Sequence, residues 1–165
     1  FIGDLVALTT QDRLAGLRDA VNDAGLPFDR SRVIDIKEEE NRLGEWSDHV
    51  QICAQRMMEA PPEDRPTAVV FSCDAVAAFS YPVFRELGLR IPDDVSVVGF
   101  DDATLCQVLD PPLATMWQPM HEMGEAAIDM LMRWIGGDHS PERRMLQAVW
   151  KERGSLGRAP NRQSR

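Results

Sequence analysis

The clearest pattern along the chain is a nearly continuous apolar run, Val95-Ser96-Val97-Val98-Gly99-Phe100, closed by Asp101-Asp102. A run without polar alternation predicts a strand buried on both faces, as in a parallel sheet between helical layers. Thr67-Ala68-Val69-Val70-Phe71 predicts a second buried strand. Shorter stretches at residues 1–3, 32–36 and 113–117 predict further strands, and residues 145–151 alternate as a strand does. Between these runs the apolar positions switch to helical spacing. Leu14, Leu17, Val21 and Ala24 mark a first helix, with Thr9 or Thr10 as its cap and Gly25 as its stop. Val50, Ala54, Met57 and Met58 mark a second, capped by Ser47 and ended by Pro61-Pro62. Residues 74–87 read as a third, stopped by Gly88, with a kink or break expected at Pro82. Met123, Ala127, Met130, Leu131 and Trp134 stripe a fourth helix over residues 121–135, closed by Gly136-Gly137. Residues 37–42 are a charged run read as solvated loop, and residues 103–112 are irregular with at most one helical turn.

Strand and helix alternate, which predicts an α/β fold with a doubly wound parallel sheet. Parallel strands all finish on one rim, and ligands sit just beyond that rim. Arg13 opens the helix after the first strand, and Trp46 precedes the helix after the second. Cys73 and Asp74 follow the third strand, Asp101 and Asp102 the fourth, and Gln118 the strand at residues 113–117. An arginine, an aromatic face, carboxylates and an amide suit a small polyhydroxylated or otherwise hydrogen-bonding ligand. Plainer roles exist for some of them. Asp74 reads most simply as a helix cap, Trp46 as a core or staple residue, and Gln118 as a turn residue before Pro119. Asp101 resists a plain reading, because an unpaired carboxylate on a buried strand end is costly.

Composition narrows the function. The 165 residues allow one domain with a real core, and the net charge of -9 argues against gripping a phosphate backbone. The three cysteines (Cys53, Cys73, Cys106) are an odd number without close pairing, which fits a reducing compartment and a cytoplasmic location. No apolar run approaches membrane-spanning length, and no signal peptide is recognised. The chain starts at Phe1, inside a strand, so a segment upstream is expected to have been removed. Neither a phosphate-binding glycine loop nor a G-x-S-x-G elbow is found. His49, His121 and His139 lie scattered, without metal-ligand spacing. No catalytic residue, metal or cofactor is therefore expected, and the Met-rich helices read as core.

Several segments together resemble the effector-binding domain of the lac-repressor family of bacterial transcription regulators. They are Arg13-Leu14-Ala15-Gly16-Leu17, residues 66–74, residues 85–102, Pro111-Pro112-Leu113-Ala114-Thr115, Gln118-Pro119 and Met123-Gly124. The resemblance implies a periplasmic-binding-protein-like fold of two α/β lobes, with an effector in the cleft between them and a helix-turn-helix head before them. It implies that effector binding biases lobe closure and so changes how paired heads sit on operator DNA. It places residues 1–118 in the carboxy-terminal lobe and residues 119–151 in the amino-terminal lobe. Residues 152–165 are expected to return to the first lobe or to fray. Most of the amino-terminal lobe and the DNA-binding head are absent, so the helix and strand within residues 119–151 lack their usual partners. By resemblance Arg13 and Asp101 hydrogen-bond the effector, Trp46 stacks on it, and Gln118 reaches it from the lobe crossing. Ala78, Tyr81 and Leu109 are implied to face a sister subunit in a homodimer. One departure matters: the family usually has Asn where Cys73 stands, and a thiol lacks the paired donor and acceptor that an amide offers a sugar.

Two other readings stay open from the sequence alone. Paired acids at a strand end also fit a Mg²⁺-dependent phosphoryl-transfer enzyme, although later strand ends carry no recognisable Lys and Thr or Ser partners. An exported sugar-binding protein of the same fold is the other.

Overall fold

The apolar runs and helical stripes become elements in the expected order. β1 (Ile2–Gly3) leads to α1 (Leu8–Asp23), β2 (Ile34–Asp35), α2 (Trp46–Glu59), β3 (Ala68–Val70), α3 (Asp74–Glu86) and β4 (Ser96–Val98). β5 (Thr115–Trp117), α4 (Met120–Ile135) and β6 (Val149–Lys151) complete the chain. The computed structural model describes residues 1–36, 46–61 and 64–158, except for the side chains of Trp46, Ser47 and His49. The expected loop at residues 37–42 lies outside the described residues.

β1 pairs in parallel with β2, and β3 with β4. Parallel bridges Ile2–Phe71 and Val98–Ala114 join these pairs to each other and to β5. The spatial order is therefore β2-β1-β3-β4-β5, which reverses direction between β1 and β3. Such a reversal opens a crevice at the carboxyl ends of the two strands. β6 then adds antiparallel to β5, pairing Thr115 with Lys151 and Trp117 with Val149. The five parallel strands form the expected doubly wound sheet, and β6 is an antiparallel addition to its edge. The chain leaves β5, makes α4, and comes back along the strand it left.

Right-handed crossovers put the leftward connection on one face of such a sheet and the rightward ones on the other. α1 makes the leftward move; α2 and α3 make the rightward moves and pack on each other. The main core lies on that second face. Val50, Cys53 and Ala54 of α2, and Val76, Ala77 and Phe84 of α3, meet Val69, Phe71, Val97 and Leu113 from the sheet. α1 buries only Thr10 and Leu14.

Three local expectations need correction. α1 starts after Ala7 with no side-chain cap, so Thr9 and Thr10 lie inside the helix. α2 starts at Trp46, ahead of the expected Ser47 cap. α3 continues through Pro82 as one helix. Burial of Val76, Ala77, Ser80 and Phe84 on its inner face holds it against the sheet and outweighs the one donor that proline removes. Gly25 and Gly88 stop their helices at positive φ, as expected. The turn anticipated within residues 103–112 is a 3₁₀ turn at Thr104–Gln107.

α4 forms as its stripe predicts, yet it buries no residue. Met120, Met123, Ile128, Leu131, Met132, Trp134 and Ile135 are all exposed. Residues 152–158, by contrast, are fastened to the sheet. Ser155 is fully buried: its hydroxyl donates to the Val97 carbonyl at 2.6 Å and accepts from the Ala114 N–H at 2.7 Å. Residues 159–165 lie outside the described residues.

Candidate functional site

β4 carries the chain to the rim and ends in two residues with unusual backbones. Asp101 has φ +119° and Asp102 φ +59°, both in the region that non-glycine residues avoid. The Asp101 N–H still donates to the Met116 carbonyl at 2.9 Å, so strand pairing persists past the bend. The bend sends the two carboxylates to different partners.

Asp101 faces the rim and keeps 41% of its side-chain surface. Gln118 Nε2 donates to its Oδ1 at 2.6 Å, and the Arg13 guanidinium lies 3.9 Å from the same oxygen. Arg13 itself is held from two sides. It donates to the Ser72 carbonyl, and its guanidinium lies over the Phe100 ring at 3.8 Å. Partial burial pushes the Asp101 carboxyl above the ordinary range, assisted by the nearby Asp74 charge; Arg13 and Gln118 pull the other way and offset only part of it. Arg13, Asp101 and Gln118, three residues expected at one rim, therefore meet at one point.

Cys73 stands at the same rim as a half-exposed free thiol at the start of α3. Trp46 opens α2, but its side chain lies outside the described residues.

Asp74, a rim candidate read most simply as a helix cap, is the first residue of α3, one place after the N-cap Cys73. It has no exposed surface. Thr115 Oγ1 donates to its Oδ1 at 2.6 Å, and the Ala103 N–H to its Oδ2 at 2.8 Å. Both oxygens are engaged inside the protein, tying the start of α3 to β5 and to the loop after β4. Gly99 makes room for it: a Cβ there would sit 2.1 Å from Asp74 Oδ1. A glycine interrupting an apolar strand signals such a close approach.

Asp102 turns inward to Arg153, whose Nη2 donates to its Oδ1 at 2.6 Å. Arg153 Nη1 also donates to the Leu113 carbonyl at 2.9 Å. The two acids after β4 are therefore not a free pair facing solvent, which weakens the Mg²⁺ reading. Among the described residues, no group of three or more His, Cys, Asp or Glu side chains is arranged to hold a metal ion. No helix there is long and apolar enough to cross a membrane. Nothing in the sequence pattern singled out Arg153, Thr115 or Ser155.

At the rim, Arg13, Cys73, Asp101 and Gln118 are each partly exposed. A concavity of about 360 Å³ lies elsewhere, between α1 and the loop after it, lined by Leu5, Leu14, Arg18, Phe28 and Arg30 among others. Of the residues expected at a subunit contact, Ala78, Tyr81 and Leu109 are each half-buried. The Tyr81 hydroxyl donates to the Pro111 carbonyl at 2.8 Å, and burial pushes its phenol up to about 12. Phe79 (44% exposed) and Val108 (79% exposed) stand beside them as the more accessible apolar side chains.

Residues 1–156 match the model of a periplasmic binding protein-like domain. The chain is 33% identical over 150 residues to a probable opine utilization operon repressor of Rhizobium rhizogenes, covering 90% of this chain and 71% of that one. It is 32% identical over 139 residues to the HTH-type transcriptional repressor PurR of Photobacterium profundum, covering 84% of this chain and 39% of PurR. The chain thus spans well under half the length of that repressor. Among solved structures, the complex of the transcriptional regulator CelR with cellobiose superposes with a TM-score of 0.73 at 28% identity. That match covers 87% of this chain and 42% of CelR.

Proposed function

The chain belongs to the lac-repressor family of bacterial transcription regulators through its periplasmic binding protein-like domain, and from that premise we propose that it senses a small sugar-like effector. The observation that carries the proposal is the convergence of Arg13 and Gln118 on a single carboxylate oxygen of Asp101 at a partly exposed strand end. A guanidinium, a carboxylate and an amide offer donors and acceptors at fixed spacing, which is what a vicinal diol requires. Trp46 supplies the stacking face, and Cys73 borders the site without matching the usual amide. Asp74 drops out as a direct contact and serves as the fastening beneath it.

The effector occupies a cleft between this lobe and a second one, and biases the hinge by binding the closed state more tightly. Operator DNA is held by a helix-turn-helix head outside these residues, consistent with the net charge of -9 here. The chain pairs with a second copy through the surface that carries Ala78, Tyr81 and Leu109, with Phe79 and Val108 adding exposed apolar area. The two relatives named above are repressors, and no catalytic residue is assigned to this chain.

Calorimetry with a panel of pentoses, hexoses and disaccharides tests the reading. At least one sugar is expected to bind saturably to the regulator. Asp101→Ala is expected to weaken that binding roughly ten- to hundredfold, since a hydrogen bond to a charged group contributes about 1.5–3 kcal/mol. Operator affinity without effector stays unchanged in that variant. Unaltered effector response in Asp101→Ala would overturn the assignment.

A further inference from the structure

The excursion through α4 leaves the sheet at Gln118 and comes back at Val149, beside the residue it left. Each end of this excursion holds one of the two aspartates. Gln118, on the outgoing side, donates to Asp101 at 2.6 Å; Arg153, just after the returning β6, donates to Asp102 at 2.6 Å. The aspartates themselves occupy two consecutive positive-φ conformations, which persist only where surroundings over-determine them. The Arg153 fork supplies that constraint. One arm grips Asp102 and the other grips the Leu113 carbonyl, so the guanidinium spans the loop after β4 and the approach to β5. The pair is only 17% and 11% exposed, so water screens it little.

We propose that Arg153 is a positioning residue for the effector site: by clamping Asp102 it fixes the backbone that aims Asp101, and it couples the returning strand to the ligand-facing carboxylate. Asp102 has no route to the ligand of its own, because its carboxylate faces Arg153. Its conformation nevertheless sets that of Asp101, since the two share a peptide unit. A displacement of β6 relative to β5 pulls on Arg153 and so on Asp102, whereas a displacement at the outgoing end acts on Asp101 through Gln118. The inference rests on the reading of Asp101 as an effector contact.

The test is ligand-free hydrogen exchange by NMR on the chain itself, comparing Arg153→Met and Asp102→Asn with the parent. The probes are the Gln118 side-chain amide, the Asp101 N–H and, as an internal reference, the Phe71 N–H, which donates to Val98 at 2.9 Å in the middle of the sheet. In both variants the Gln118 and Asp101 protons are expected to exchange at least tenfold faster relative to Phe71, with altered Gln118 amide shifts. Equal acceleration of all three probes, or a lower melting temperature with unchanged Gln118 shifts, makes Arg153 a stabiliser only and overturns the proposal. Asp102→Asn keeps the side-chain shape and carries the same test should Arg153→Met not fold. Failure of both to fold overturns it too, because a latch confined to one strand end cannot be the whole fold. No sugar enters this experiment. Probes that move as expected while every sugar fails to bind would sink the effector reading and leave the latch standing.

Discussion

Asp74 is a carboxylate with no exposed surface, and its two partners settle what it does. Asp74→Ala leaves the buried Thr115 hydroxyl and the part-buried Ala103 N–H without this partner. The expected loss is about 3 kcal/mol in a urea titration, the scale for charged hydrogen bonds and orphaned buried groups. Gly99→Ala pushes a methyl against the same carboxylate and is expected to cost about 1–3 kcal/mol by overpacking. Asp101 behaves oppositely to a salt-bridged acid. Its folded carboxyl is raised above 3.8, chiefly by burial, so between the ordinary and the raised value the folded state binds more protons than the unfolded chain. Lowering the pH through that window therefore favours the fold at this residue, and Asp101→Asn is expected to abolish that contribution in pH-dependent melts. Effector affinity, if it needs the charged form, falls over the same window. Sequence pattern located both acids at the rim because strands that run in parallel end together. It gave Asp74 the plainer, structural role and left Asp101 as the one without such a role, but it did not show that Asp74 is wholly buried, since a carboxylate reads the same whether it faces the cleft or the interior. The distinguishing sign was Gly99, a gap in an apolar run large enough for one buried side chain.

At the scale of elements, α3 and α4 carry comparable apolar stripes and meet different fates. Phe84 of α3 is 1% exposed, and Phe84→Ala is expected to cost about 3–5 kcal/mol. Leu131 of α4 is 50% exposed, and Leu131→Lys is expected to change chain stability by less than about 0.5 kcal/mol in the same denaturant titration. Helical period identifies a helix but not what covers it, so the stripe of α4 alone read as core, and only the resemblance implied that its usual partners were missing. Residues 152–158 take the first of the two courses left open for them, the return to the first lobe. Polar composition resembled a frayed end, while the partners of Arg153 and Ser155 lie 51 and 58 positions away along the chain. Contacts that distant leave no periodic trace. The elements also sort the thiols. Cys53 and Cys106 are buried, and burial pushes Cys106 up to about 12, whereas Cys73 is half-exposed. A thiol reagent at neutral pH is expected to modify one cysteine in the native chain and all three in urea.

For the whole molecule, the apolar runs indicate a doubly wound parallel sheet, while the strand order β2-β1-β3-β4-β5 is set by long-range pairings that no local pattern records; that order brings Arg13 from one side of the reversal to Asp101 on the other. If the proposed homodimer uses the surface around Phe79 and Val108, the double change Phe79→Glu and Val108→Glu halves the mass seen by light scattering without lowering the melting temperature. The antiparallel seam between β5 and β6 has one more consequence. Because Trp117 sits directly opposite Val149, residues 118–148 form a closed appendix whose two stems are already neighbours. A tight Asn-Gly reverse turn has the geometry to join those stems. Such a miniature, stripped of α4 and its exposed apolar side chains, should retain cooperative unfolding while losing the Gln118 contact to Asp101, so it separates the stability of the sheet from the integrity of the rim.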